Sequence, residues 1–385
     1  MDSHLGDKPG KVRALSIHAD YRCRHSGVCC TLHWDVPMAL PVYRSLKEAV
    51  AAGRLKPSPE AAGLDPFVIN PDLPEDEAAI FERVDSGACV FFDGESRLCL
   101  VHRDLGEDAM ATTCRTFPRL AVQDARGTFI TLSHFCPTAA SQLFREDVAL
   151  AIVEGPGAFP PADYDGLTVT DDDLPPLLKP DVLMDAEGYT AWERHMVAVC
   201  AGAESAESAL ATLMRDAAVL RTWTGGGDPL HAAVARLPQD GVPAAPPSAL
   251  DASLQAHAEA MSCVPDDLKP EPNDEGLGEA YARFVREPWP AFSRVLRNYA
   301  AAKAFASWTA YQGRGVASIV RGLEAALALV RVEAARQCRD AGAPLDADRL
   351  KEAIRQADFI LNHLAAGDAL AEAWSSAENA AITGP

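Results

Sequence analysis

The spacing of apolar positions changes character along the chain, and the change separates two kinds of predicted structure. In "ALPVYRSLKEAVAAG", Leu40, Tyr43, Leu46 and Val50 recur at helical intervals, which predicts a helix with one apolar face. A Pro-rich, acidic stretch from Lys56 to Glu77 follows and predicts a long loop. "ACVFFDGESRLCLV" then sets two short apolar runs around Asp93 and Gly94, the pattern of a hairpin that brings Cys89 and Cys99 close together. "RLAVQDARGTFITLS" repeats the device around Asp124 to Gly127, and Pro137 suits the first turn of a helix over "CPTAASQLF". From about residue 185 the pattern turns helical and rich in alanine, over 185–222, 289–312, 316–340 and 346–376. "TGGGDP", "LPQDGVPAAPPSA" and "VPDDLKPEPNDEG" interrupt it as turns or linkers. The absence of an internal repeat argues against a solenoid.

Together these elements predict an α+β fold that is mainly α. A small, irregular, cysteine-rich module with short hairpins is expected over residues 1–150, packed on a mainly helical region with acidic Pro/Gly-rich loops over 151–385. With 385 residues and 48% hydrophobic content the chain can bury a sizeable core without metal staples. The most apolar stretch, "GVASIVRGLEAALALVRVEAARQC", is interrupted by Arg321, Glu324, Arg331 and Glu333, so no membrane helix is expected. The amino-terminal segment lacks the apolar run of a signal peptide, and a cytoplasmic location with reduced thiols is expected. A net charge of −20 disfavours nucleic acid and membrane surfaces as partners and favours a basic protein or peptide.

The cysteines change this picture most. Seven of the ten lie in the first 136 residues: Cys23, Cys29, Cys30, Cys89, Cys99, Cys114 and Cys136. Cys200, Cys263 and Cys338 are scattered through helical segments, where a lone thiol behaves as a small apolar side chain. Thiolates bind zinc and the iron of iron–sulfur clusters, and thiols crowded in a reducing compartment point to metal more than to a disulfide framework. His25, His33, His102 and His134, each close in sequence to a cysteine, are further candidate ligands. Buried, metal-free thiols are the alternative.

"CRHSGVCC", "CVFFDGESRLCLVH" and "CRTFPR" resemble the three blocks of the YkgJ-type cysteine-cluster family of zinc- or iron-chelating domains. "LGEDAMATTCRTFPRL" and "TFITLSHFCPTAA" are similar to the flagellin lysine-N-methylase branch of that family, as are "RVLRNYAAAKAF" and "ADFILNHL" near the far end. The resemblance implies that the seven cysteines are ligand candidates, with Arg115 and Arg119 as contacts to anionic groups. Ser26 stands where the general pattern has its second cysteine, and the acidic insertion before Cys89 is long. The resemblance also implies methyl transfer from S-adenosylmethionine to a lysine of flagellin or a similar protein.

A cofactor loop for S-adenosylmethionine would need a strand, a glycine-rich turn and a helix. "VALAIVEGPGAFPP" comes nearest, but Phe159, Pro160 and Pro161 follow its glycines where a helix would open. "TGGGDP" and "GRG" read as helix ends, the C-x-x-x-C-x-x-C triplet of radical enzymes is absent, and no Ser-His-Asp or paired-carboxylate pattern stands out. Three readings follow: a cysteine-cluster lysine methylase, a non-catalytic metal- or cluster-carrying protein, and a helical interaction protein with a structural zinc site.

Overall fold

The computed structural model describes residues 11–32, 35–69, 77–162, 164, 166–170, 173–269 and 273–382. It is an α+β structure with small sheets and a helical carboxy-terminal part. Two compact units divide the chain. The smaller comprises Arg22–Arg119 with Cys136–Thr138, and the larger comprises Met1–Tyr21, Leu120–Phe135 and Ala139–Pro385. The larger unit thus takes in both ends of the 1–150 stretch.

Sheet pairing explains that division. In the larger unit Val12–Leu15 runs parallel to Gly127–Leu132 and antiparallel to Ile152–Glu154, while Gly166–Thr168 runs parallel to Arg119–Asp124. The five strands form one mixed sheet, with Arg119–Asp124 beside Gly127–Leu132 as the sequence predicts. Its central strand, "GTFITL", is buried from Phe129 through Leu132 with no polar alternation, as a strand covered on both faces must be. After Ile152–Glu154 the chain makes turns rather than a helix, so "VEGPGAFPP" lacks the context of a nucleotide loop.

Helices build the rest of this unit, and their starts are set by side-chain caps. Asp185 accepts from the Gly188 N–H, Ser205 from Ser208, and Asp346 from Arg349, each satisfying an otherwise orphaned donor. The Ser205 cap splits the predicted 185–222 helix into Ala186–Gly202 and Ala206–Leu220. A helix over Asp251–Ser262, which the sequence pattern did not single out, packs on the long helix Val316–Ala341. That long helix is buried nearly all round and runs through the middle of the unit, ending at Gly342 in the left-handed conformation. Two of the charges that argued against a membrane span are satisfied inside it: Arg331 bonds Glu207 at 2.8 Å, and Glu333 pairs with Arg336 and lies 3.5 Å from His257. Among the described residues no helix is long and apolar enough to cross a membrane.

The smaller unit is irregular. The helix Leu40–Ala51 covers a three-stranded sheet of Pro37–Ala39, Glu77–Phe81 and Phe67–Val68, around a core of Met38, Leu46, Phe67, Phe81 and Phe91. Phe92–Asp93 pairs antiparallel with Leu98–Cys99, which is the hairpin predicted around Asp93 and Gly94. His33 and the tip of the predicted acidic loop, Asn70 to Asp76, lie outside the described residues.

Candidate metal centre

Cys29 and Cys30 sit in the short 3-10 turn Val28–Cys30, entered through Gly27 at a φ of 76°. A side chain at Gly27 would meet the Phe92 ring at 2.7 Å, so glycine is required both for the turn and for the hairpin's close approach. The Cys89 N–H donates to the Cys30 carbonyl at 2.7 Å, and Arg83 bonds the same carbonyl at 3.4 Å and the Gly87 carbonyl at 3.0 Å. Arg97 donates to the Ser26 carbonyl, tying the hairpin to the cysteine turn. Cys114 lies in the short helix Thr112–Thr116, and Cys136 immediately precedes the helix Pro137–Gln142.

The sulfurs are electrostatic neighbours. Cys29 Sγ and Cys30 Sγ are 3.8 Å apart, the edge of a tetrahedron with zinc–sulfur bonds of about 2.3 Å. The hydrogen bond between them lowers the Cys29 thiol and, with burial, raises Cys30, which also feels Cys99 and Cys89. Burial pushes the Cys89 thiol up to about 11, and it pushes Cys114 well above its ordinary value, helped by the charges of Cys89, Cys99 and Cys29. Cys99 is raised by burial and by Cys29, and Cys23 by burial, Cys29 and Cys136. All seven predicted cysteines lie in the smaller unit, with Cys29 and Cys30 in contact. Among the described residues, however, no three Cys, His, Asp or Glu side chains already converge to enclose an ion.

Backbone N–H groups face the sulfurs: His25 to Cys23 at 3.4 Å, Phe91 to Cys89, and Val101 and His102 to Cys99. Such donors stabilise a charged sulfur and tune bound iron or zinc. Thiols kept protonated by burial and by one another are also the groups a soft cation deprotonates on binding. Cysteine sulfur is the donor type that zinc and iron–sulfur clusters take. Arg83, which carries no signal of its own in the sequence, is the cation that offsets charge at Cys29, Cys89 and Cys114, and it forms an isolated antiparallel bridge with Cys89. Arg119 acts similarly on Cys23.

The histidines separate. The rings of His25 and His102 lie 6.5 Å apart in the smaller unit. His134 belongs to the larger unit, where it enters a buried polar network that the sequence did not reveal. Its backbone N–H donates to Asp358 Oδ2 at 2.5 Å, its Nδ1 lies 3.3 Å from the same oxygen, and its Nε2 is 3.2 Å from His18 Nε2. Asp358 Oδ1 accepts from Tyr299 at 2.9 Å and pairs with Lys303 at 2.5 Å. Burial would raise the Asp358 carboxyl, but Lys303 and His134 outweigh it and hold the group well below the usual range. Nearby, Ser133 Oγ and His363 Nε2 are 2.8 Å apart. Tyr299 and Lys303 come from "RVLRNYAAAKAF", and Asp358 and His363 from "ADFILNHL". Of the remaining cysteines, Cys200 and Cys338 are fully buried, and Cys263 lies against the Glu259 carbonyl at 3.6 Å.

Compared with protein-family models, with curated proteins and with solved structures, the chain matches none.

Proposed function

We propose that the smaller unit is a thiolate centre for zinc or an iron–sulfur cluster, held by four or more of Cys23, Cys29, Cys30, Cys89, Cys99, Cys114 and Cys136. The observation that supports this reading is the placement of all seven cysteines in one unit, with Cys29 and Cys30 at tetrahedral-edge separation and backbone N–H groups turned toward Cys23, Cys89 and Cys99. Seven thiols drawn from five separate chain segments into one unit are more than packing requires, whereas Cys200 and Cys338 are each buried singly among helices.

The motif resemblance extends the proposal to catalysis, as transfer of the S-adenosylmethionine methyl group to a lysine of flagellin or a similar protein. Bound metal or cluster would supply Lewis-acid or redox chemistry there. The chain's own contribution is electrostatic: a net charge of −20 favours encounter with a lysine-bearing surface. A lysine nucleophile must also be neutral, which calls for a desolvating site. The deciding experiment is anaerobic purification with metal and sulfide analysis, followed by mass spectrometry of flagellin incubated with loaded protein and S-adenosylmethionine. Brown protein with iron and sulfide supports a cluster, and colourless protein with zinc supports a structural or Lewis-acid site. Metal without methylation favours the non-catalytic carrier, while protein that takes up neither metal returns the cysteines to ordinary buried thiols.

A further inference from the structure

We infer that Cys29 and Cys30 form a chelating site for a monosubstituted trivalent arsenical, held through their two sulfurs with carbon as the third substituent on arsenic. The inference rests on the contact between these two thiols and holds whether or not the other five cysteines bind metal.

Distance selects the chemistry. Cys29 Sγ and Cys30 Sγ lie 3.8 Å apart. Oxidation would have to shorten that to the roughly 2.05 Å of a disulfide, across neighbouring Cα atoms that a trans peptide keeps closer together than disulfides usually span. Linear coordination by two thiolates would instead need the sulfurs about 4.6 Å apart, twice a bond of about 2.3 Å. One bridging atom with bonds of about that length and a bent angle between them matches the separation found.

Ligand number narrows the choice further. Among the described residues no three Cys, His, Asp or Glu side chains converge to hold an ion, so zinc at this pair alone would lack half of its four ligands. A trivalent arsenic that already carries one carbon needs two sulfurs and no more. Its adduct with two thiols is neutral, so it can sit at these half-buried residues without a stranded charge.

The turn holds both cysteines in place beforehand. The Cys30 N–H donates to the Gly27 carbonyl at 2.9 Å, the Thr31 N–H to the Val28 carbonyl at 3.2 Å, and the Cys30 carbonyl accepts from the Cys89 N–H at 2.7 Å. Little ordering is left for binding to impose. Both residues keep some exposure, which gives a reagent its route. The arsenic of an R–As(OH)2 group then forms two As–S bonds and loses two As–O bonds. Each hydroxyl departs with one thiol proton as water, and no electrons are transferred.

Phenylarsine oxide, which hydrates to that dihydroxy form, is the probe, added to the full chain after reduction with a phosphine and removal of metal with a chelator. Mass spectrometry of the intact chain should show one phenylarsenic group bound, with two fewer titratable thiols. Cys29→Ser and Cys30→Ser should each weaken binding about a hundredfold, because the second bond loses its intramolecular partner. Cys89→Ser and Cys114→Ser should bind as wild type does. Tryptic digestion should place the group on residues 25–44, where Cys29 and Cys30 are the only cysteines, and this mapping carries the test if a serine variant does not fold by circular dichroism. The inference is overturned if both Cys29→Ser and Cys30→Ser bind the probe as tightly as wild type, or if the group maps to another peptide. It is equally overturned if Cys89→Ser or Cys114→Ser weakens binding as much as Cys29→Ser, which would assign the arsenic to a wider group of thiols.

Discussion

Lys303 Nζ lies 2.5 Å from Asp358 Oδ1, and the carboxylate is wholly shielded from solvent. A charge so placed is tolerated only because every lone pair has a use: Tyr299 shares Oδ1 with the lysine, and the His134 backbone takes Oδ2. Removing the acid alone strands an ammonium, a hydroxyl and a backbone donor. Asp358→Leu should therefore lower the unfolding free energy by about 3–5 kcal/mol. Lys303→Met should cost less, because the carboxylate keeps its other donors. In the double variant the cost should fall well short of the sum of the single costs, as for residues that share one network. Urea denaturation of the four proteins measures this, and strict additivity would show that the pair is not a unit.

Arg126 provides a second buried ion site of a different kind. Its guanidinium lies 4.2 Å from the ring centres of both Phe129 and Tyr189, and it bonds Asp124 at 2.8 Å and Glu193 at 3.1 Å. A planar, delocalised cation can stack and fork at once, whereas an ammonium cannot. Arg126→Lys is expected to cost about 2 kcal/mol although charge is conserved, and Arg126→Met more, since it leaves two buried carboxylates unpaired. Thermal denaturation of both variants at neutral pH tests the ranking, and equal stability of the lysine variant and wild type would refute it.

What the sequence could say tracks the separation of the interacting residues. The Cys89–Cys99 hairpin and the helix at 316–340 were legible because turn residues and apolar spacing are local signals. Arg126 was legible only as part of a turn, "DARG", since its partner Glu193 lies in a later helix. The parallel pairing of Val12–Leu15 with Gly127–Leu132 spans more than a hundred residues and leaves no local trace. The same holds for His18, His134 and Asp358, whose contact depends on the sheet and the helix Ala347–Phe359 both being in place. The cysteines were legible as a set because clustered composition survives without geometry; the N–H groups around them were not.

Gly27 tests the cysteine centre without touching a thiol. Its positive φ and its 2.7 Å approach to the Phe92 ring leave no room for a methyl group. Gly27→Ala should strain the turn by about 1–2 kcal/mol and push the Cys29–Cys30 turn away from the hairpin. If the sulfurs act together, metal content per chain should fall to a small fraction of wild type while circular dichroism of the helical part is kept. Metal content equal to wild type would mean that Cys29 and Cys30 are not ligands alongside the hairpin cysteines.

Acid should destabilise the larger unit at an unusually mild pH. Burial holds the His363 imidazole down at about 4, with Lys303 adding to the effect against an opposing pull from Asp358. His18, fully buried, is likewise lowered, by burial first and then by His134. In the unfolded chain both take up protons near their ordinary value of about 6.5, so below that pH the unfolded state binds more protons than the folded one. Their contribution is thus fully present above about pH 6.5 and is lost progressively as pH falls toward 4. Asp358, lowered rather than raised, is lost only in stronger acid and does not mask the window. The His363 displacement alone should make the protein about 2 kcal/mol less stable to urea at pH 5 than at pH 7.5, against an opposing contribution from Glu193 and Glu324, whose carboxyls burial raises. His363→Gln keeps an acceptor for Ser133 and removes the titration, so its loss over the same interval should be smaller by roughly that amount. Equal losses in wild type and His363→Gln from pH 7.5 to 5 would instead mean that the His363 imidazole carries a proton in the folded protein, with Asp358 as its counter-charge.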